Sequence, residues 1–280
     1  MKPADLPELR RGLLGGKPDF EEFKSNGPFA VTIRKDFSLR VAPGETISGD
    51  LYLSSPAKAP LVVILHGFDS TKEDHAQQAL RVATWGMHGL AIQMPNRGRW
   101  STNGRMLASL VEEIHRAPAL LENRVDTDRI ILVGHSFGAS SVVVALAQRP
   151  PVAGAVLLDA AGIGRDLRSS LQQVGKPVLL LWADEQVSVT RNRDYFFEYI
   201  PAHVGEVSIR NAGHEDAQYR FEPAPPAAGA DAAEEPQNTF ASALTAATFS
   251  LSATGGFDYA WASYGAGLDS GKLFNARKKE

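Results

Sequence analysis

The sequence predicts an α/β protein: a mostly parallel central sheet of about eight strands with helices on both faces. Three observations predict it. Short, continuously apolar runs recur along the chain, helical stretches lie between them, and the length of 280 residues suits one such domain. A strand covered on both faces has no polar side to show, so it reads as an unbroken apolar run. Leu61-Val62-Val63-Ile64-Leu65 has that form.

In chain order, residues 29–39 and 46–54 read as an opening pair of strands. Val41-Ala42-Pro43-Gly44-Glu45 joins them, with the Pro and Gly of a turn. Alternation through Ser48-Gly49-Asp50-Leu51-Tyr52-Leu53 fits a half-exposed, antiparallel strand. The apolar strand 61–65 is followed by a helix over 73–88, a short strand over 90–94 and a helix over 104–122. Three more apolar strands follow at 130–133, 155–158 and 178–181, with helical segments between them, including 137–148. A last strand fits 206–210 and a last helix 239–251. Residues 222–237 contain four prolines and no aromatic residue, which predicts a surface loop close after His214. The whole reads as a single domain, with extensions at 1–28 and 253–280. In the second extension Tyr259, Trp261 and Tyr264 are expected to dock on the domain.

Composition narrows the function classes. A hydrophobic share of 44% is that of a globular chain. The net charge is −3 and no face is obviously basic, so no nucleic-acid partner is expected. The short Arg277-Lys278-Lys279 run reads as a solvated end. With no cysteine, disulfides, a thiol nucleophile and thiolate metal sites are excluded. No apolar run near the start fits a signal peptide, and none approaches the ~18 residues of a membrane span. A cytoplasmic location is expected, although a chain trimmed of its signal would look the same. No two histidines form a metal pair, so neither metal nor cofactor is expected. The oligomeric state stays open.

In an open parallel sheet, ligands bind beyond the carboxyl ends of the strands. There the predicted strands deliver His66-Gly67-Phe68-Asp69, Gly134-His135-Ser136-Phe137-Gly138, Asp159, Asp184 and His214. Gly134 to Gly138 fits G-x-S-x-G, in which a serine sits in a tight strand-to-helix turn and small flanking residues let the chain pass. The serine hydroxyl then projects from the sheet at a helix N-terminus, where developing negative charge is favoured. Ser136 is the candidate nucleophile.

With these residues in place, the chain resembles the α/β-hydrolase superfamily over roughly residues 45–252. The resemblance rests on the element order, His66-Gly67, Arg97-Gly98-Arg99-Trp100-Ser101, the elbow and Gly213-His214. A shorter match, in Gly134-His135-Ser136, Leu157-Leu158-Asp159-Ala160 and Gly213-His214-Glu215-Asp216, is similar to the chlorophyllase, platelet-activating-factor acetylhydrolase and polyester-hydrolase branch. The α/β-hydrolase fold with no large cap domain is what the resemblance implies. It also implies the order Ser, acid, His, which leaves His203 and His214 as candidate bases. His203 precedes its strand and His214 follows it, so His214 is expected to be the base. Main-chain N–H groups of Phe68 and Phe137 would form an oxyanion hole. The acid is ambiguous. Where many members carry Gly-x-x-Asp after the seventh strand, this chain has Gln186 at the aspartate's position. Asp184 or Glu185 could serve there with a shift, whereas the narrower branch would take Asp159, which is favoured. Asp216 reads better as a cap. His66 and His135 read as structural hydrogen-bonding groups, and His75, His88 and His115 as surface groups. Arg97 and Arg99 near the mouth read as solubilising charges. Acyl transfer from a small or polymeric carboxylic ester is the expected chemistry. A peptidase, an acyltransferase and a non-catalytic interaction protein are the alternatives.

Overall fold

A computed structural model describes residues 6–42, 45–95, 99–162, 165–191, 193–220 and 235–279. Nine strands form one sheet: β1 (Val31–Ala42), β2 (Glu45–Ser54), β3 (Ala59–Leu65), β4 (His88–Gln93), β5 (Val125–His135), β6 (Gly154–Leu158), β7 (Val178–Ala183), β8 (Val204–Ile209) and β9 (Leu273–Lys279). Their spatial order is β1-β2-β4-β3-β5-β6-β7-β8-β9. The six strands from β3 to β8 run parallel, while β2 is antiparallel to β1 and β4, and β9 is antiparallel to β8. The helices are α1 (Leu6–Gly15), α2 (Ala76–Thr84), α3 (Trp100–Arg116), α4 (Phe137–Ala147), α5 (Arg165–Leu171), α6 (Arg193–Tyr199), α7 (Glu235–Thr254) and α8 (Asp258–Asp269).

The sheet divides the core in two because successive side chains alternate between its faces. Leu61, Val63, Leu65, Leu132 and Leu157 pack with Leu107, Val111, Val142 and Leu146 of α3 and α4. Val62, Ile64, Val133, Val156 and Leu181 pack with Ala79 of α2 and Phe240, Leu244 and Ala247 of α7. Every residue of β3 is buried. Each such Val, Leu or Ile side chain contributes about 1.5–3 kcal/mol. Parallel register levels the strand ends: Leu65 lies beside Gly134, His135 beside Leu158, and Leu158 beside Leu181. The turns carrying the motif residues therefore emerge along one edge. Among the described residues the connection from β6 to β7 carries only α5.

Several boundaries differ from expectation. The helix predicted over 73–88 ends at Thr84, and Trp85 to Met87 turn the chain into β4 through Gly86, at φ 87°. The helix predicted over 104–122 runs from Trp100 to Arg116, because Pro118 disfavours helical geometry in the residue before it and starts a separate 3₁₀ turn. The loop expected through 237 yields to α7 from Glu235, with Pro236 in the first turn, where its missing N–H costs nothing. Its remainder, 222–234, lies outside the described residues.

Arg277 and Lys278 are solvent-exposed, as expected, but the run also belongs to an unforeseen edge strand, β9. Arg277 donates to Glu206, pairs with Asp194 at 3.3 Å and lies 4.2 Å over the Phe197 ring. A short polar edge strand has no apolar run to announce it; its order comes from pairing with β8. Tyr264 and Tyr259 are buried, with the Tyr264 hydroxyl donating to Ala243 O at 2.7 Å, and Trp261 packs edge-on to Tyr264.

His75 and His88, expected at the surface, are buried. His88 opens β4, accepts from the Ser54 N–H at 3.1 Å and donates to Arg124 O at 3.0 Å. Those partners come from distant parts of the chain, so no local pattern could show them. His115 is exposed as expected.

Candidate active site

Ser136 separates β5 from α4 and holds φ 53° and ψ −124°. A positive φ is rare for a residue with a Cβ; it costs about 1–3 kcal/mol and persists only where its surroundings enforce it. Here its N–H donates to Leu158 O at 3.0 Å, and its carbonyl accepts from Ala139 and Ala161. The flanking glycines are steric requirements. A Cβ at Gly134 would lie 2.5 Å from Gly138 O, and one at Gly138 would press on the carbonyls of Leu65 and His66.

His214 begins a 3₁₀ turn just beyond β8. The Gly213 N–H donates to the Asp216 carboxylate at 2.8 Å, so Asp216 caps that turn. His214 Nε2 lies 3.0 Å from Ser136 Oγ, and His214 Nδ1 lies 2.5 Å from Asp159 Oδ2. Asp159 follows β6, is 1% exposed, and accepts the Ala183 N–H through its other oxygen at 3.0 Å. Nδ1–H therefore donates to the carboxylate, and Nε2 is left to accept the serine proton.

Beneath this group lies His135, whose ring is 4.7 Å from that of His214. Its Nε2–H donates to the His214 carbonyl at 3.1 Å. Burial first, then the neighbouring His75 and His214, hold the His135 imidazole well below its ordinary range. A neutral His135 supports His214 without adding a competing charge.

The other acid candidates point elsewhere. Asp184 is part-exposed, accepts the Asn211 N–H at 3.0 Å and lies 3.6 Å from Arg210. Glu185 is exposed, and its N–H donates to Ala212 O. His203 is exposed ahead of β8, at the opposite edge of the sheet. Arg99 is exposed before α3, and Arg97 lies outside the described residues.

Phe68 is 59% exposed, and its ring meets that of the half-buried Phe137 edge-on at 6.3 Å. Among the described residues nothing accepts from the main-chain N–H of either phenylalanine. His66 makes hydrogen bonds near the site, as expected, but its partner Gln93 was not foreseen. His66 Nδ1 lies 2.8 Å from Gly67 O, while its Nε2 meets Gln93 Nε2 at 2.9 Å and the Met94 N–H at 3.2 Å. A glutamine at a strand end belongs to no pattern, and only the parallel pairing of β3 with β4 brings it to His66. Among the described residues no group of three or more His, Asp or Glu is arranged around a metal position, and no helix is long and apolar enough to cross a membrane.

Comparison with known proteins accords with this architecture. The chain is 24% identical over 201 residues to the protein named cutinase est1 of Thermobifida alba, covering 68% of this chain and 64% of that one. It is 36% identical over 104 residues to a protein of Mycobacterium phage D29 named as a non-heme haloperoxidase, covering 37% of this chain and 36% of that one. The chain thus spans little more than a third of one relative and just under two thirds of the other. The description "Alpha/beta hydrolase family" matches residues 62–268, well over half of the chain. By that match, and with the sheet and strand-end arrangement described above, the chain belongs to the alpha/beta hydrolase family.

Proposed function

We propose that this protein is a serine hydrolase that cleaves carboxylic esters through an acyl-enzyme. The observation that carries the reading is the continuous contact from Ser136 Oγ through the His214 ring to Asp159 Oδ2, at 3.0 and 2.5 Å. His214 Nε2 removes the hydroxyl proton as Ser136 Oγ attacks the carbonyl carbon. Asp159 holds the ring in the tautomer with Nδ1 protonated and stabilises the imidazolium that forms. The N–H groups of Phe68 and Phe137 receive the negative oxygen of the tetrahedral intermediate, at the N-terminus of α4. His214 then returns the proton to the leaving alcohol. Water, deprotonated by the same imidazole, attacks the acyl-serine and restores the hydroxyl.

An ester of apolar or aromatic acyl character fits the Phe68 and Phe137 rings at the mouth, and a short β6–β7 connection leaves the mouth accessible to bulky or polymeric chains. The relative named a cutinase supports this choice of substrate class.

The test is hydrolysis of p-nitrophenyl esters of graded acyl length, with an alkyl phosphonate as a label. One phosphonate adduct should form on Ser136, and turnover should stop with it. Labelling that survives in Ser136→Ala, or an unlabelled protein that has lost activity, would refute the reading. Added alcohol that competes with water for the acyl group would make the protein an acyltransferase.

A further inference from the structure

We propose that His66 is a positioning residue for ester hydrolysis, its imidazole fixing the Gly67–Phe68 peptide so that the Phe68 N–H is presented beside Ser136. The inference rests on the reading of Ser136 as nucleophile and of the Phe68 N–H as an oxyanion donor.

Two main-chain N–H groups, which can only donate, settle the protons between them. The Lys72 N–H donates to Gln93 Oε1 at 3.1 Å, which turns the Gln93 NH₂ toward His66 Nε2 at 2.9 Å. The Met94 N–H approaches the same nitrogen at 3.2 Å. With two donors facing it, Nε2 is the acceptor, so the neutral ring carries its hydrogen on Nδ1. Nδ1–H then donates to Gly67 O at 2.8 Å. The chain has no cis peptide among the described residues, so the N–H of Phe68 points opposite to the Gly67 carbonyl. The carbonyl end is engaged by a buried imidazole, and among the described residues the amide end meets no acceptor. Hydrogen bonding at the carbonyl also polarises the amide and strengthens its free N–H. The backbone lies close to the nucleophile: a Cβ at Gly67 would stand 2.9 Å from Ser136 Cβ.

This makes His66 act through the peptide rather than on substrate, and two replacements separate that from simple support. Asn places an amide near the Nδ1 position, whereas Gln places one near Nε2. With a p-nitrophenyl ester, His66→Gln should lose ~10–10²-fold in kcat with KM within about twofold, less than the ~10²–10³ of deleting an oxyanion donor. His66→Asn should recover most of that loss, and the affinity of an alkylboronate, which carries the tetrahedral oxyanion, should follow kcat across the series. Melting temperatures accompany both variants. On the unmodified protein, ¹⁵N NMR should find the His66 hydrogen on Nδ1, a measurement that needs no folded variant. The proposal is overturned by a hydrogen on Nε2, by wild-type kcat in His66→Gln, by a loss confined to KM, or by equal losses in Asn and Gln that track melting temperature. Ser136→Ala is run in parallel. If it is inactive while His66→Gln keeps full kcat, only the role of His66 falls; if Ser136→Ala turns over normally, the hydrolase reading falls and takes this one with it.

Discussion

The ends of β6 and β7 are neighbours that look alike in sequence and differ in place. Each apolar strand leads to an aspartate, Asp159 in one and Asp184 in the other. Asp159 is 1% exposed and lies between the His214 ring and the Ala183 N–H. Asp184 stands one strand further out, part-exposed, engaging the Asn211 N–H and the Arg210 guanidinium. Burying a carboxylate is costly unless every lone pair that loses water finds a donor. At Asp159 the two donors are an imidazole N–H and a main-chain N–H, one to each carboxylate oxygen, so the buried group is held against one ring. Asp184 instead faces a main-chain N–H and an exposed guanidinium at the surface. A strand end thus supplies a carboxylate, and its burial and donors decide what that carboxylate can influence.

The largest effect that can test this comparison removes the nucleophile that the imidazole and its carboxylate would activate. Ser136→Ala should lower ester turnover by about 10⁶, by analogy with well-studied serine nucleophiles, read as kcat with a chromogenic ester. Next, Asp159→Asn should cost about 10⁴ in kcat, because an amide facing Nδ1 favours the wrong tautomer and leaves the imidazolium unsupported. Circular dichroism must show the fold intact, since Asp159 also accepts from Ala183. Asp184→Asn should change kcat by less than about threefold and stability by under ~1 kcal/mol in urea titration, as exposed pairs contribute little. A larger loss from Asp184→Asn than from Asp159→Asn would reverse the comparison and move the proposed acid to β7.

The last effect bears on stability with no change in turnover, and separates burial against a carboxylate from burial alone. His214 has Asp159; His88 is buried between a main-chain N–H and a carbonyl, and burial pushes its imidazole down to about 4. An unfolded histidine titrates near 6.5. Above that value neither state is protonated and His88 has no effect on the pH dependence. As pH falls through 6.5 the unfolded chain takes up the proton first, so stability declines until about pH 4, by on the order of 3 kcal/mol. His75, also brought to about 4 by burial, adds in the same direction. Urea unfolding from pH 7 to 4 should show this slope, and His88→Gln should flatten it. An unchanged slope in that variant would mean that His88 takes up its proton over the same pH range in the folded and unfolded states.

Much of this protein follows from local rules that the sequence carries openly. Apolar runs determine the parallel strands, because a strand covered on both faces has no polar residue to spare. Gly134 and Gly138 around Ser136 determine the tight turn, because a Cβ at either would collide with main chain. The position of His214 beyond β8 follows from the same strand count. What the sequence alone did not determine depends on groups far apart in the chain. Asp159 meets His214 across 55 positions, Gln93 meets His66 across 27, and β9 finds its place by pairing with β8. Side-chain contacts of that separation are set by the register and twist of the assembled sheet, and polar pairs carry no periodicity from which they could be read. For the same reason His75 and His88 looked like surface groups until tertiary packing supplied their burial and their partners.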